Sequence, residues 1–102
     1  MQIKPGVIIQ GVRPELLVAI QVADVVYTQA GHELLITSLL DGKHSRNSLH
    51  YTGCAVDIGV RGLDAAEIND IVLALKKRLT RDFDVIVEST HIHIEYQPRG
   101  QQ

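Results

Sequence analysis

Phe83-Asp84-Val85-Ile86-Val87-Glu88, then Ser89-Thr90, then His91-Ile92-His93-Ile94-Glu95-Tyr96. Two runs that alternate along the chain, joined by two small polar residues, predict a tight β-hairpin. In a strand successive side chains point to opposite faces, so His91, His93 and Glu95 share one face while Ile92, Ile94 and Tyr96 share the other. The apolar face needs something to cover it. The other face collects ionisable groups, which need a reason to be there.

Upstream of the hairpin, Asp64 followed by Glu67 has the form of a capping box. From it runs a helix with Ile68, Ile71, Val72, Leu75 and Leu79 on one side, and Lys76-Lys77-Arg78 suits the negative end of its dipole. Ala55-Val56-Asp57-Ile58-Gly59-Val60 alternates as a strand, turning Asp57 away from the face of Val56 and Ile58, and Arg61-Gly62 ends it. Leu34-Leu35-Ile36-Thr37-Ser38 reads as a buried strand, and Asp41-Gly42 opens a polar loop to Asn47. Before these, Pro14 suits a first helical position, and Leu16, Leu17, Ile20, Ala23, Val26, Tyr27 and Ala30 recur at helical spacing up to Gly31, a natural C-cap. Val7-Ile8-Ile9 is a short apolar run expected to form a strand or an ordered arm. Helix, strands, helix and hairpin predict an α+β fold, a small mainly antiparallel sheet packed with two helices.

At 102 residues and 45% hydrophobic content, residues 1–102 make a single domain around one modest core, its motif-bearing part about 34–96 and its tail 97–102 polar. The net charge of −2 comes without a Lys/Arg stripe, which argues against nucleic acid as a partner. One cysteine, Cys54, excludes an internal disulfide framework and suits a small buried hydrophobe. No secretory signal and no apolar run near the ~18 residues of a membrane span can be read, so the expected location as synthesised is cytoplasmic, without membrane insertion.

The ionisable residues fall into a pattern that suggests metal. His50 and Asp57 lie seven residues apart, too far to be neighbours on one strand, but Gly53 gives the backbone the freedom to turn and fold them together. A catalytic zinc takes three protein ligands at about 2.0–2.2 Å and keeps a position for water. The hairpin offers the third: His91 and His93, roughly 6–7 Å apart along a strand, face the same way, and strand geometry permits either. Glu88, on the facing strand, is the candidate general base for a water whose pKa zinc lowers to about 7. Burying so many ionisable groups without a metal would be costly. His32, in the Gly31-His32 turn, is read as structural.

Ser48-Leu49-His50-Tyr51-Thr52-Gly53-Cys54-Ala55-Val56-Asp57 resembles the Ser-x-His-x-x-Gly-x-Ala-x-Asp signature of the LAS zinc peptidases. That group contains D-Ala-D-Ala carboxypeptidases and dipeptidases, phage L-alanyl-D-glutamate endolysins and the hedgehog amino-terminal domain. His44-Ser45 before the signature, and Glu88-Ser89 before His91-Ile92-His93, are similar to the hedgehog run. The resemblance implies a hedgehog/DD-peptidase-like fold, Zn2+ held by His50, Asp57 and His93, Glu88 as catalytic base, and His91 as the histidine that steadies the oxyanion. It also implies Ser48 near the substrate and His44 at the rim. Two departures stand out. The Ser-Gly-Tyr-Arg segment of many cell-wall members has no counterpart in Thr37-Ser38-Leu39-Leu40-Asp41, leaving Arg46 as the candidate substrate arginine, and the Glu88-to-His91 gap is one residue shorter than in hedgehog. The expectation is a phage- or prophage-type peptidase cutting peptidoglycan stem peptides, at a D-Ala-D-Ala end or at L-Ala-D-Glu. Its rival is a non-catalytic, zinc-containing binding module of hedgehog type.

Overall fold

The computed structural model describes residues 1–39 and 54–98. Along the chain come β1 (Gln2–Ile3), α1 (Pro14–Gln29), β2 (Leu35–Ser38), β3 (Ala55–Gly59), α2 (Ala65–Arg78), β4 (Phe83–Val87) and β5 (His91–Tyr96). The strands form one open five-stranded sheet in the order β1-β2-β3-β5-β4. β1 runs parallel to β2, and every other pairing is antiparallel. The fold is therefore α+β, with two helices and a mixed, mostly antiparallel sheet.

Both helices begin and end where their sequences say they should. α1 starts at Pro14, whose missing N–H costs nothing in the first turn. It closes with the Gly31 N–H donating to Thr28 O at 3.0 Å and the His32 N–H to Tyr27 O at 2.9 Å, a Schellman arrangement that needs the left-handed φ of +83° at Gly31. α2 is held at its start by the reciprocal box: the Glu67 N–H donates to Asp64 Oδ1 at 2.8 Å, and the Asp64 N–H to Glu67 Oε1 at 3.2 Å. Lys76, Lys77 and Arg78 occupy its last turn.

The core lies between these helices and one face of the sheet. Leu16, Ile20 and Tyr27 of α1, and Ile71 and Leu75 of α2, meet Ile36, Val56, Ile58, Val85, Ile92 and Ile94, all buried. α1 lies against β3 and β5, and α2 against β4 and α1. The Tyr27 hydroxyl donates to Gly59 O at 2.8 Å, tying α1 to β3, and burial pushes its pKa up to about 12. Among the described residues, no helix is long and apolar enough to cross a membrane.

At the amino-terminal end, the strand alternative for Val7-Ile8-Ile9 is not the one seen, and Ile8 and Ile9 are exposed. The strand is instead Gln2–Ile3, in register with Leu35 and Ile36 and anchored by the Gln2 N–H to Leu34 O at 2.7 Å and the Lys4 N–H to Ile36 O at 2.9 Å. Pro5-Gly6 stops it: proline has no N–H to extend the ladder, and Gly6 takes a φ of +90°.

Candidate metal centre

With both helices on one face of the sheet, the other face carries the ionisable groups. Register sets Asp57 opposite His93, Ala55 opposite Glu95 and Gly59 opposite His91. A directly opposed pair shares a face, so Asp57, His91, His93 and Glu95 form one patch on the centre of the sheet. The small residues Ala55 and Gly59 leave room on either side of Asp57. An added Cβ at Gly59 would already meet the Thr37 methyl at 3.4 Å.

Asp57 is the one buried charged residue among those described, 7% exposed. A buried carboxylate needs partners, and the hairpin supplies them. His93 Nδ1 lies 2.8 Å from Asp57 Oδ1, and His91 Nε2 approaches the same oxygen at 3.5 Å. The other ring nitrogen of His93, Nε2, faces Glu95 Oε1 at 3.0 Å. His91 is held from its own far side by the Thr90 hydroxyl, 3.0 Å from Nδ1. The hydrogen bond to Asp57 raises the His93 pKa, burial works against it, and the charges of Asp57 and Glu95 add to the rise.

This patch has the donor chemistry of part of a zinc site. The Asp57 oxygen and His93 nitrogen that share a proton here belong to a carboxylate and an imidazole, two of the ligand types zinc accepts. Among the described residues, no group of three or more His, Cys, Asp or Glu is arranged to hold a metal by itself. His50, the third expected ligand, lies outside the described residues, as do Ser48, Arg46 and His44. Asp57 and His93 fit as the described part of a three-ligand set, with Nδ1 as the nitrogen turned toward it.

Of the other expected residues, His91 joins the patch and Glu88 stands apart. Glu88 falls one position beyond β4, at the mouth of the hairpin, where its N–H donates to His91 O at 2.9 Å. Its side chain is exposed and makes no hydrogen bond or ion pair with the patch among the described residues. Glu95 is the residue whose role the sequence did not assign. The signal was its place two residues after His93 on the same face, the spacing at which a carboxylate reaches a neighbouring imidazole.

His32 has a structural partner, as its place in a turn suggested. Its Nε2 lies 2.5 Å from Glu67 Oε2, joining the end of α1 to the first turn of α2. That hydrogen bond, with the backbone of Asp64, lowers the Glu67 pKa. Comparison with known proteins finds no matching family model and no match among curated sequences.

Proposed function

We propose that this chain is a zinc metallopeptidase of hedgehog/DD-peptidase-like fold that hydrolyses peptidoglycan stem peptides. The observation that supports this reading is the buried Asp57 with two histidines converging on one of its oxygens. Asp57 and His93 hold the metal together with His50. Zinc, when bound, supplies Lewis-acid activation of water and of the scissile carbonyl. Glu88 takes the proton from the attacking water and delivers it to the leaving amine. His91, held by Thr90 at the edge of the patch, steadies the negative charge on the carbonyl oxygen. Ser48, Arg46 and His44 contact the peptide. The resemblance of the signature to the wall-cutting peptidases supports a stem peptide as substrate, cut at D-Ala-D-Ala or at L-Ala-D-Glu. The chain is made in the cytoplasm and reaches the wall through a separate pore, as a phage-type lysis peptidase would.

Incubating zinc-loaded protein with purified muropeptides and measuring product masses tests the reading and identifies the bond. Loss of D-alanine, or a new amine on the D-glutamyl residue, is the expected outcome, and Glu88→Gln should abolish it with zinc still bound. One observation favours the second reading, a zinc-containing binding module without catalysis: Glu88 is exposed and makes no side-chain hydrogen bond or ion pair with the patch among the described residues. In that case elemental analysis finds zinc, chelation lowers the melting temperature, and no muropeptide is cut.

A further inference from the structure

Among the described residues, β4 is an edge strand of the sheet, whose order ends β5-β4. The direction of its backbone groups follows from the bonds at its two ends. The Glu88 N–H donates to His91 O, and Asp82 O accepts from the Gln97 N–H. Even-numbered residues therefore turn their peptide groups toward β5, while Phe83, Val85 and Val87 turn theirs outward. The Phe83 N–H is already taken by Thr80 O at 3.1 Å. A groove of about 440 Å3 is lined by Phe83, Val85 and Ile86 of β4 and by Lys76 of α2. Edge strands are usually blunted by lysine, proline, bulges or brevity. β4 is five residues long, with Asp84 its single charge and no lysine or proline in Phe83–Val87, and leaves Ile86 41% and Val87 52% exposed.

We propose that two copies of this chain pair through their β4 edges, antiparallel and centred on Val85, into one continuous sheet. The occupant is a second copy because the strand complements itself. With the two-fold axis at Val85, all five residues of β4 pair: Val85 with its copy, Phe83 with Val87, and Asp84 with Ile86. Val85 exchanges both backbone bonds with its copy, and each Val87 N–H donates to Phe83 C=O of the other copy. Ile86 and its copy meet on the diagonal over the exposed face. Slipping by two residues either way shortens the overlap and opposes like charges, Asp84 to Asp84 in one direction and Asp84 to Glu88 in the other. In the Val85 register the only opposed carboxylates, Asp82 and Glu88, lie beyond the strand ends. Such an interface is isologous and closed, so association stops at the dimer.

Sedimentation equilibrium of the full chain from about 1 to about 200 µM tests this, a range that spans weak to moderate self-association. Wild type should approach twice the monomer mass. Ile86→Asp sets a carboxylate against Asp84 at two symmetry-related places and should raise the dimer dissociation constant about tenfold. Ile86→Lys sets an ammonium at the same places and should leave the dimer as tight or tighter. Circular dichroism confirms that each variant is folded. A wild type that stays monomeric at the highest concentration overturns the proposal, and so does a dimer indifferent to both substitutions. Equal weakening by Asp and Lys overturns the Val85 register, because only an axis at Ile86 sets this residue against itself.

Discussion

His93 is the residue on which the site turns, because both of its ring nitrogens face carboxylates, Nδ1 toward Asp57 and Nε2 toward Glu95. In the proposed zinc site, a ligand histidine whose second nitrogen is fixed by a carboxylate has its ring orientation and tautomer set before metal arrives. Glu95→Gln keeps a hydrogen-bonding group of the same shape but removes the charge. It should lower zinc affinity about tenfold or more with little change in the fold, measured by competition with a chromophoric chelator. Unchanged affinity would remove Glu95 from the site. The sequence made this face legible through its period of two, yet it could not choose between His91 and His93, which share that face. The resemblance favours His93, and cross-strand register, a tertiary property, sets Asp57 directly across from it.

At the scale of elements, the helices were legible to within a residue or two because their stop signals are local chemistry: Pro14, the Gly31 cap and the Asp64/Glu67 box. β1 was not, since a two-residue strand has no period to detect and exists through its bonds to Leu34 and Ile36. The hairpin's first strand ends at Val87 rather than Glu88, which moves the expected base from a strand face to a turn. The contact between His32 and Glu67 joins two elements and yields a pH prediction. The folded-state pKa of Glu67 is lowered, so its contribution to stability is present above the ordinary carboxylate range and is lost as pH falls through the lowered value. Glu67→Gln retains the capping geometry but not the charge. It should flatten the acid side of the stability curve between about pH 5 and pH 3, read from urea unfolding at each pH. An acid limb as steep as that of wild type would mean that other carboxylates carry it.

For the whole molecule, the sheet separates two tasks, holding the core with one face and presenting the patch with the other. β5 serves both, since Ile92 and Ile94 are buried in the core beneath α1 while His91 and His93 point the other way. Ile92→Ala removes a fully buried side chain and should cost about 3 kcal/mol. It should also weaken zinc binding without touching a ligand, because the cavity loosens the strand that aims His93. Chemical denaturation and zinc titration of the same preparation check the two effects together. A stability loss with unchanged affinity would show that the patch is held by β3 alone. The α+β class was legible from alternating periodicities and cap signals. What was not legible was the patch as a whole, Glu95 included, because it draws on strands whose pairing is decided by which faces the helices cover.

The position of Asp57 has one more consequence. β3 is the middle strand of the sheet, bonded to β2 on one side and β5 on the other, and its residues 55 to 58 are buried. Amides in such a strand exchange with solvent only when the whole domain opens, while those near chain ends and loops exchange through local fraying. Deuterium uptake at Val56 and Ile58 should therefore be the slowest in the chain and should follow global stability as urea is raised. The carboxylate at the heart of the patch thus persists for as long as the fold itself, and partial melting of an edge strand leaves it in place.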